Sequence, residues 1–205
     1  MNENNIDGMN AVQRSLKRTG DCLGALGGLL FLFPVFLIIY IIQKLEGEGP
    51  AIYKQERIGK GGRPFNILKF RTMKVTAEKE GVPQLAQKDD DRLTKVGKFL
   101  REHHLDELPQ LWNVFVGDMS FVGYRPERKY FIDKIMEHNP DYALLYVSRP
   151  GVTSNATLYN GYTDTMEKML KRLDMDLDYL RNRSILLDLK IIFATLFSVG
   201  GGKKF

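Results

Sequence analysis

Cysteine occurs once in the 205 residues, at Cys22, which excludes an internal disulfide and any cysteine-rich metal centre and fits a reducing compartment. Histidine is almost as scarce. Of the three, His103 and His104 are adjacent, and no second group of ligand-type residues stands at the spacing a zinc site needs. No period of roughly 20 to 50 residues runs along the chain, so a solenoid or propeller is excluded. Phosphate-cradling glycine loops are missing too, because "GKGG" at 59–62 has neither the spacing of such loops nor a following Ser or Thr. No serine stands in a nucleophile elbow. The length suits one domain with a real core plus an accessory segment.

Charge is absent from one long stretch. Residues Cys22 to Ile42, "CLGALGGLLFLFPVFLIIYII", carry none across 21 positions, about the roughly 20 residues a bilayer-crossing helix needs. A cleavable signal peptide fits badly, since its apolar region is usually about 7 to 15 residues long and ends at a small-residue cleavage site. Pro34 interrupts the run, lacks an N–H and crowds the carbonyl of Leu30, so a kink is expected there. Arg14, Lys17 and Arg18 precede the run, and Lys44, Lys54, Arg57, Lys60 and Arg63 follow it. Basic flanks mark the cytoplasmic side of a membrane. A helix that enters, bends at Pro34 and returns to the same face reconciles the two flanks, with a broken backbone ladder that neighbours must satisfy. A single span is the alternative that the residues alone leave open.

Positive charge is in surplus elsewhere. The formal net charge of +5 suits a negatively charged partner such as nucleic acid, anionic lipid or a phosphorylated substrate, without choosing among them. Residues 1–20 read as a short amphipathic interfacial helix feeding the apolar run. "AIYKQERIG" and "RPFNILKFRTM" alternate around the turn-like "KGGRP" and predict a β-hairpin, and residues 75–91 predict a loop. Helical periodicity follows: Val96, Phe99 and Leu100 on one face, Leu108, Leu111, Trp112 and Phe115 on another, with Trp112 a core anchor. Lys129–His138, Thr165–Arg181 and the apolar Ser184–Val199 also read as helices, the last packing on the core or lying on a membrane surface. The fold class is therefore α+β, mostly helical with one short hairpin. Residues 1–46 form an interfacial and membrane segment, and residues 47–205 a second domain.

The chemistry concentrates in "LREHHLDELPQLWNVFVGDMSFVGYRPE", Leu100 to Glu127. Asp106 is placed as a helix N-cap with Pro109 in the first turn. The helix dipole would then keep Asp106 and Glu107 ionised. Adjacent helical residues point about 100° apart, so one carboxylate could act as a nucleophile while the other holds a hard cation such as Mg²⁺. Arg101 and Arg125, the latter beside Pro126, offer bidentate donors to phosphate, and Lys69 and Arg71 in "KFRTM" could add contacts from one strand face. Each feature alone is also what an acid-capped helix and a solvated basic face would show.

Taken in order, "KRTGDCLGALGGLLFLFP", "GPAIYKQERIGKGGRPFNILKFRTM", "DDDRLTKVGKFLREHHLDELPQLWNVFVGDMSFVGYRPE" and "RPGVTS" resemble the bacterial sugar transferase family, the monotopic polyprenyl-phosphate phosphoglycosyl transferases. The likeness runs from about Lys17 to the C-terminus and is densest between Gly49 and Glu127. It implies a Mg²⁺-dependent membrane enzyme that moves a phosphosugar from a UDP-sugar to a polyprenyl phosphate such as undecaprenyl phosphate. UMP is released on the cytoplasmic face of the bacterial inner membrane, which begins surface glycan assembly. By the same resemblance Asp106 is the nucleophile, Glu107 its partner near the metal, and Arg101 and Arg125 grip phosphate with Lys69, Arg71 and Pro126 in the binding set. Pro34 breaks a re-entrant helix, the C-terminal helix is membrane-associated, and the chain matches the minimal catalytic unit. Membrane lipid is a partner, nucleic acid is not, and pairing as a homodimer is compatible with the pattern.

Three departures stand out. Phe33 replaces the serine many members carry before the kink proline. Tyr124 stands where proline is frequent in "GYRP", which should loosen the loop around Arg125. "NATLYNGYTDTMEK" is unlike the usual continuation, so sugar choice is not inherited. Two other classes make different forecasts: a membrane adaptor would bind sugar nucleotide or lipid without turnover, and a nucleic-acid binder would show salt-dependent oligonucleotide binding.

Overall fold

The structure, a computed structural model, describes residues 6–75, 77, 90–161 and 163–200. Most of the loop expected at 75–91 lies outside the described residues. Helix α1 spans Ala11–Phe31 and opens with a capping box, in which Asn10 accepts from the Gln13 N–H and the Gln13 side chain accepts from the Asn10 N–H. The polar N-terminal stretch and the start of the apolar run are thus one helix, where the sequence predicted a separate short one. No breaker intervenes before Pro34, and two of the intervening glycines, Gly24 and Gly28, serve packing. A Cβ at Gly24 would come 2.9 Å from the Phe121 ring and one at Gly28 3.1 Å from Leu111, so α1 lies close against its neighbours.

Helix α2, Phe33–Glu46, leaves α1 at a bend of 60°. Pro34 falls in the first turn of α2, where its missing N–H leaves no bond unmade. The N–H of Leu32 donates to Gly28 O at 2.9 Å and that of Phe36 to Leu32 O at 2.9 Å. The bend therefore closes its own backbone bonds without a serine hydroxyl, and Phe33 stays exposed. Among the described residues no single helix is long and apolar enough to cross a membrane, while α1 and α2 meet that criterion as a bent pair.

Strands β1 (Ile52–Ile58) and β2 (Pro64–Phe70) form the expected antiparallel hairpin, with Ile52 opposite Phe70. Helix α3 (Lys95–Glu102) rests on the exit of β2 so closely that a Cβ on Gly97 would lie 2.0 Å from Thr72 O. Helix α4 (Gln110–Val116) follows, then β3 (Ser120–Val122), α5 (Lys129–His138), a 3-10 stretch over Pro140–Val147, and β4 (Gly151–Thr153). β3 and β4 pair in parallel, a sheet too short for any periodicity to announce. Helices α6 (Asn155–Asn160), α7 (Met166–Asn182) and α8 (Ile185–Gly200) complete an α+β fold.

The apolar interior is divided. Ile39, Phe70 and Leu100 join α2, the hairpin and α3; Ala25, Ile67, Val114 and Met119 join α1, β2 and α4. Tyr124, Ile132, Ile135, Leu145, Leu173 and Leu177 bind α5 and α7 to the loop after β3. Two expected core residues lie outside it. Phe99 and Trp112 are 54 % and 49 % exposed, because α3 and α4 each turn one narrow face to the hairpin and these rings sit beside it. Tyr124, expected to loosen its loop, is 1 % exposed and anchors that loop in the core.

Candidate active site

Helix α3 ends when His104 takes a left-handed conformation, φ 55°. That is an uncommon geometry for a side-chain-bearing residue, and it reverses the chain at once. Leu105–Glu107 then forms a 3-10 turn, with Glu107 N–H donating to His104 O and Leu108 N–H to Leu105 O. Helix α4 begins only after Pro109, which occupies its N-cap position. Asp106 is therefore not a helix N-cap as predicted: the proline ends one element and admits the next, and the acid pair stands in the tight turn between them.

That turn lies over β2. Lys69 Nζ contacts Glu107 Oε1 at 2.6 Å. The strand is registered against α4 by Asn113, whose Oδ1 accepts from Leu68 N–H at 3.0 Å and whose Nδ2 donates to Asn66 O at 2.8 Å. Sequence reasoning passed over Asn113, although a polar residue inside the apolar "LWNVFV" was its signal. Arg18 of α1 donates to Val114 O and Phe115 O at 2.6 and 2.7 Å. It thereby satisfies the carbonyl end of α4.

The two acids have opposite electrostatics. Burial pushes Asp106 up, Lys69 only partly offsets this, and the neighbouring Glu107 charge adds to the rise, to about 6. Burial also pushes Glu107 up, but Lys69, followed by Arg125, overrides it and holds the carboxyl at about 2. Both acids thus titrate below neutral pH, as expected, but through Lys69 and burial instead of a helix dipole, and among the described residues only Glu107 has a cation in direct contact. Among the described residues nothing donates a hydrogen bond or ion pair to the Asp106 carboxylate, while Arg101 at the end of α3 acts on it through charge.

Asp106, Glu107, Lys69, Arg101 and Arg125 therefore share one electrostatic neighbourhood. Arg71 is committed elsewhere. Its guanidinium donates to the main-chain carbonyls of Gln43 (3.0 Å) and Glu48 (2.5 Å), and its own carbonyl accepts from Gln43 Nε2 at 2.5 Å. Pro126 is buried, and its carbonyl accepts from Arg57 at 3.0 Å. Pro34 lies in the bent helix pair. Glu127, singled out for no role in the sequence, is a hub: Arg172 lies at 3.1 Å, Arg57 at 3.5 Å and Arg125 at 3.9 Å.

Among the described residues no three His, Cys, Asp or Glu side chains are grouped as a metal cage. Two adjacent carboxylates still fit Mg²⁺, which is usually held by one or two carboxylates together with substrate phosphates. A carboxylate whose pKa is raised by burial and whose oxygens take no hydrogen bond from a described residue is also suited to attack an electrophile such as phosphorus.

Residues 12–202 match the family described as bacterial sugar transferase. Over 191 residues the chain is 42 % identical to a UDP-glucose:undecaprenyl-phosphate glucose-1-phosphate transferase of Escherichia coli (strain K12), covering 92 % of this chain and 41 % of that protein. It is 38 % identical over 184 residues to a UDP-N-acetylgalactosamine-undecaprenyl-phosphate N-acetylgalactosaminephosphotransferase of Aeromonas hydrophila, covering 90 % and 43 %. A UDP-glucose:undecaprenyl-phosphate glucose-1-phosphate transferase of Caulobacter vibrioides is 43 % identical over 185 residues, covering 89 % and 69 %. The chain thus spans about two-fifths of the length of the first two of these relatives. With the acid pair, the hairpin lysine and the bent helix pair all inside the matched span, the chain belongs to the bacterial sugar transferase family.

Proposed function

We propose that the protein transfers a phosphosugar from a UDP-sugar to undecaprenyl phosphate and releases UMP, through a covalent intermediate on Asp106. The observation that carries this reading is the contrast within the acid pair: Asp106 is 7 % exposed and takes no hydrogen bond from a described residue, while Glu107 is held by Lys69 at 2.6 Å. A nucleophile needs open lone pairs; a carboxylate held by a lysine is positioned for another task.

In the first step an Asp106 carboxylate oxygen attacks the β-phosphorus of the donor, the bond from that phosphorus to the bridging oxygen breaks, and UMP leaves with the electron pair. In the second, an oxygen of the lipid phosphate attacks the same phosphorus, and the Asp106 carboxylate is the leaving group. Arg101 and Arg125 would balance phosphate charge, a role supported by their charge acting on the acid pair, and Lys69 keeps Glu107 ionised. Asp106 and Glu107 would hold Mg²⁺, which when bound supplies further positive charge to the phosphates. Arg71 maintains the frame instead of binding substrate.

Both ends of the bent helix pair are tied to one body, which supports a re-entrant segment and a membrane-facing site. Arg18 near the start of α1 holds α4, while at the end of α2 Glu46 accepts from Thr94 Oγ1 and Val96 N–H at 2.9 Å each. A straight span would separate its ends by roughly the 30 Å hydrocarbon core. Leu30, Phe31, Phe33 and Ile38 around the bend and Phe193 and Phe197 on α8 are more than half exposed, an apolar area suited to lipid. On this reading residues 1–46 sit in the cytoplasmic leaflet of the inner membrane and residues 47–205 present the site to it.

The test is UMP release from a panel of UDP-sugars by the purified protein in nanodiscs with undecaprenyl phosphate and Mg²⁺, beside an Asp106→Ala control. Lipid-dependent UMP from a donor, absent in the control, is expected. Turnover retained by the control would overturn the covalent scheme, and binding of donor or lipid without turnover would indicate an adaptor.

A further inference from the structure

Between the 3-10 stretch at Pro140–Val147 and α7 lies a crevice lined by Arg125, Glu127, Tyr142, Arg172 and Asp176 over an apolar floor. It narrows to room for a single water-sized group. Three of these side chains are almost wholly buried, Tyr142 and Asp176 at 3 % and Arg172 at 9 % exposure. Each carries a polar atom, Tyr142 Oη, Arg172 Nε and Asp176 Oδ1, that has no hydrogen-bond partner among the described residues. Natural interiors pair such atoms, since an unpaired one carries its desolvation cost uncompensated. Three around one narrow space form a set built to be completed by something else.

The set is mixed. Arg172 Nε can only donate, Tyr142 Oη can do either, and Asp176 Oδ1 accepts when ionised. Arg172 and Asp176 are four residues apart on α7, hence on the same face of that helix. Burial pushes the Asp176 carboxyl up to about 7 against the pull of Arg172 and of the Arg125 main-chain N–H that bonds it. Glu127 already balances much of the guanidinium charge here through Arg172 at 3.1 Å and Arg57 at 3.5 Å. A group that both donates and accepts, and is no larger than water, matches better than an anion: an alcohol hydroxyl.

Arg125 connects this crevice to the acid pair. Its charge acts on Glu107, its main chain bonds Asp176, and its side chain lies 3.9 Å from Glu127. We infer that Arg172, Asp176 and Tyr142 form a hydroxyl-reading subsite for the donor's sugar ring, placed past Arg125 from the phosphates. This rests on the transferase reading above and adds a specificity-determining site to it. A subsite built to bond a hydroxyl rejects an analogue lacking it, because its own groups are left unpaired. Sugar discrimination therefore resides in α7 and the 3-10 stretch, outside the acid-pair turn.

The test is calorimetric binding of UDP and of the UDP-sugar donor to the unsubstituted 205-residue chain and to Asp176→Asn and Tyr142→Phe, alongside steady-state turnover with deoxy analogues of that donor. Tyr142→Phe removes an oxygen that has no hydrogen-bond partner among the described residues, so its melting temperature should hold. Both variants should bind UDP as the wild type does and bind the UDP-sugar at least about 10-fold more weakly. One deoxy donor, poor for the wild type, should lose nothing further in the variants. Equal losses for UDP and UDP-sugar would assign the crevice to the base and overturn the sugar assignment. Unchanged binding of both ligands would overturn it as well. A wild type that binds no UDP-sugar would remove the transferase reading, a distinct failure.

Discussion

Asp7 and Asp106 are chemically identical and both hidden from solvent, yet the fold treats them oppositely. Asp7 receives two guanidinium N–H groups of Arg183 at 2.6 Å each, the Met9 N–H at 2.9 Å and Arg14 at 3.0 Å. Burial pushes its carboxyl up, but the Arg183 hydrogen bonds and then Met9 N–H outweigh burial and hold it below 3.8. Among the described residues Asp106 has no such donors, and burial with the Glu107 charge leaves it at about 6. A buried carboxylate surrounded by donors fastens the structure; one left short of donors keeps its lone pairs for chemistry.

The largest effect should come from removing the open acid. Asp106→Asn is expected to reduce UMP release by at least about 1,000-fold while the melting temperature stays level or rises, because a buried charge has been neutralised. Turnover within a factor of ten of wild type would remove the distinction. Next in size is the fastened acid. Asp7→Ala leaves Arg183 buried without its partner and should destabilise the fold by about 3–5 kcal/mol in denaturant melts, with turnover per folded molecule unchanged. Its pH dependence has a definite sign: Asp7 has a depressed folded pKa, so its contribution is present above about pH 4 and lost as pH falls through that folded value. Wild type should lose that increment on acidification, and Asp7→Asn should not.

A smaller test lies inside the acid pair. Lys69→Met takes away the cation that holds Glu107 down, and should lower turnover by about 100-fold and also lower the melting temperature, because Glu107 is left buried without its partner. Smallest is a comparison of two arginines that the sequence presented alike. Arg101→Ala should lower turnover by about 10-fold and leave melting unchanged, whereas Arg71→Ala should lower the melting temperature by several degrees, about 1–2 kcal/mol, through the Gln43 and Glu48 main-chain carbonyls left without their donor. Equal behaviour of the two in both assays would refute the division between substrate cation and frame cation.

The sequence made the acid pair, the hairpin and helices α5, α7 and α8 legible, because each depends on contacts between near neighbours: alternation, 3.6-residue periodicity, a proline; it missed the short α6 and the 3-10 stretch at Pro140–Val147. It misplaced Asp106 by treating the pair as a helix start, since no local pattern marked the left-handed turn at His104 that sets a 3-10 turn before Pro109. It set Arg71 beside Lys69, though one turns to Glu107 and the other to the end of α2. It could not single out Glu127, whose partners come from residues 57, 125 and 172.

Composition and order alone therefore determined the family resemblance, the apolar run broken at Pro34, and the concentration of chemistry between Leu100 and Glu127. Tertiary structure alone decided which acid is fastened and which is open, which arginine belongs to the frame, and that both ends of the bent helix pair meet the same body. The reason is physical: a pKa or an ion pair is a property of groups brought together from distant points of the chain, and the energy that fixes it depends on burial and distance, neither of which is written in the order of residues.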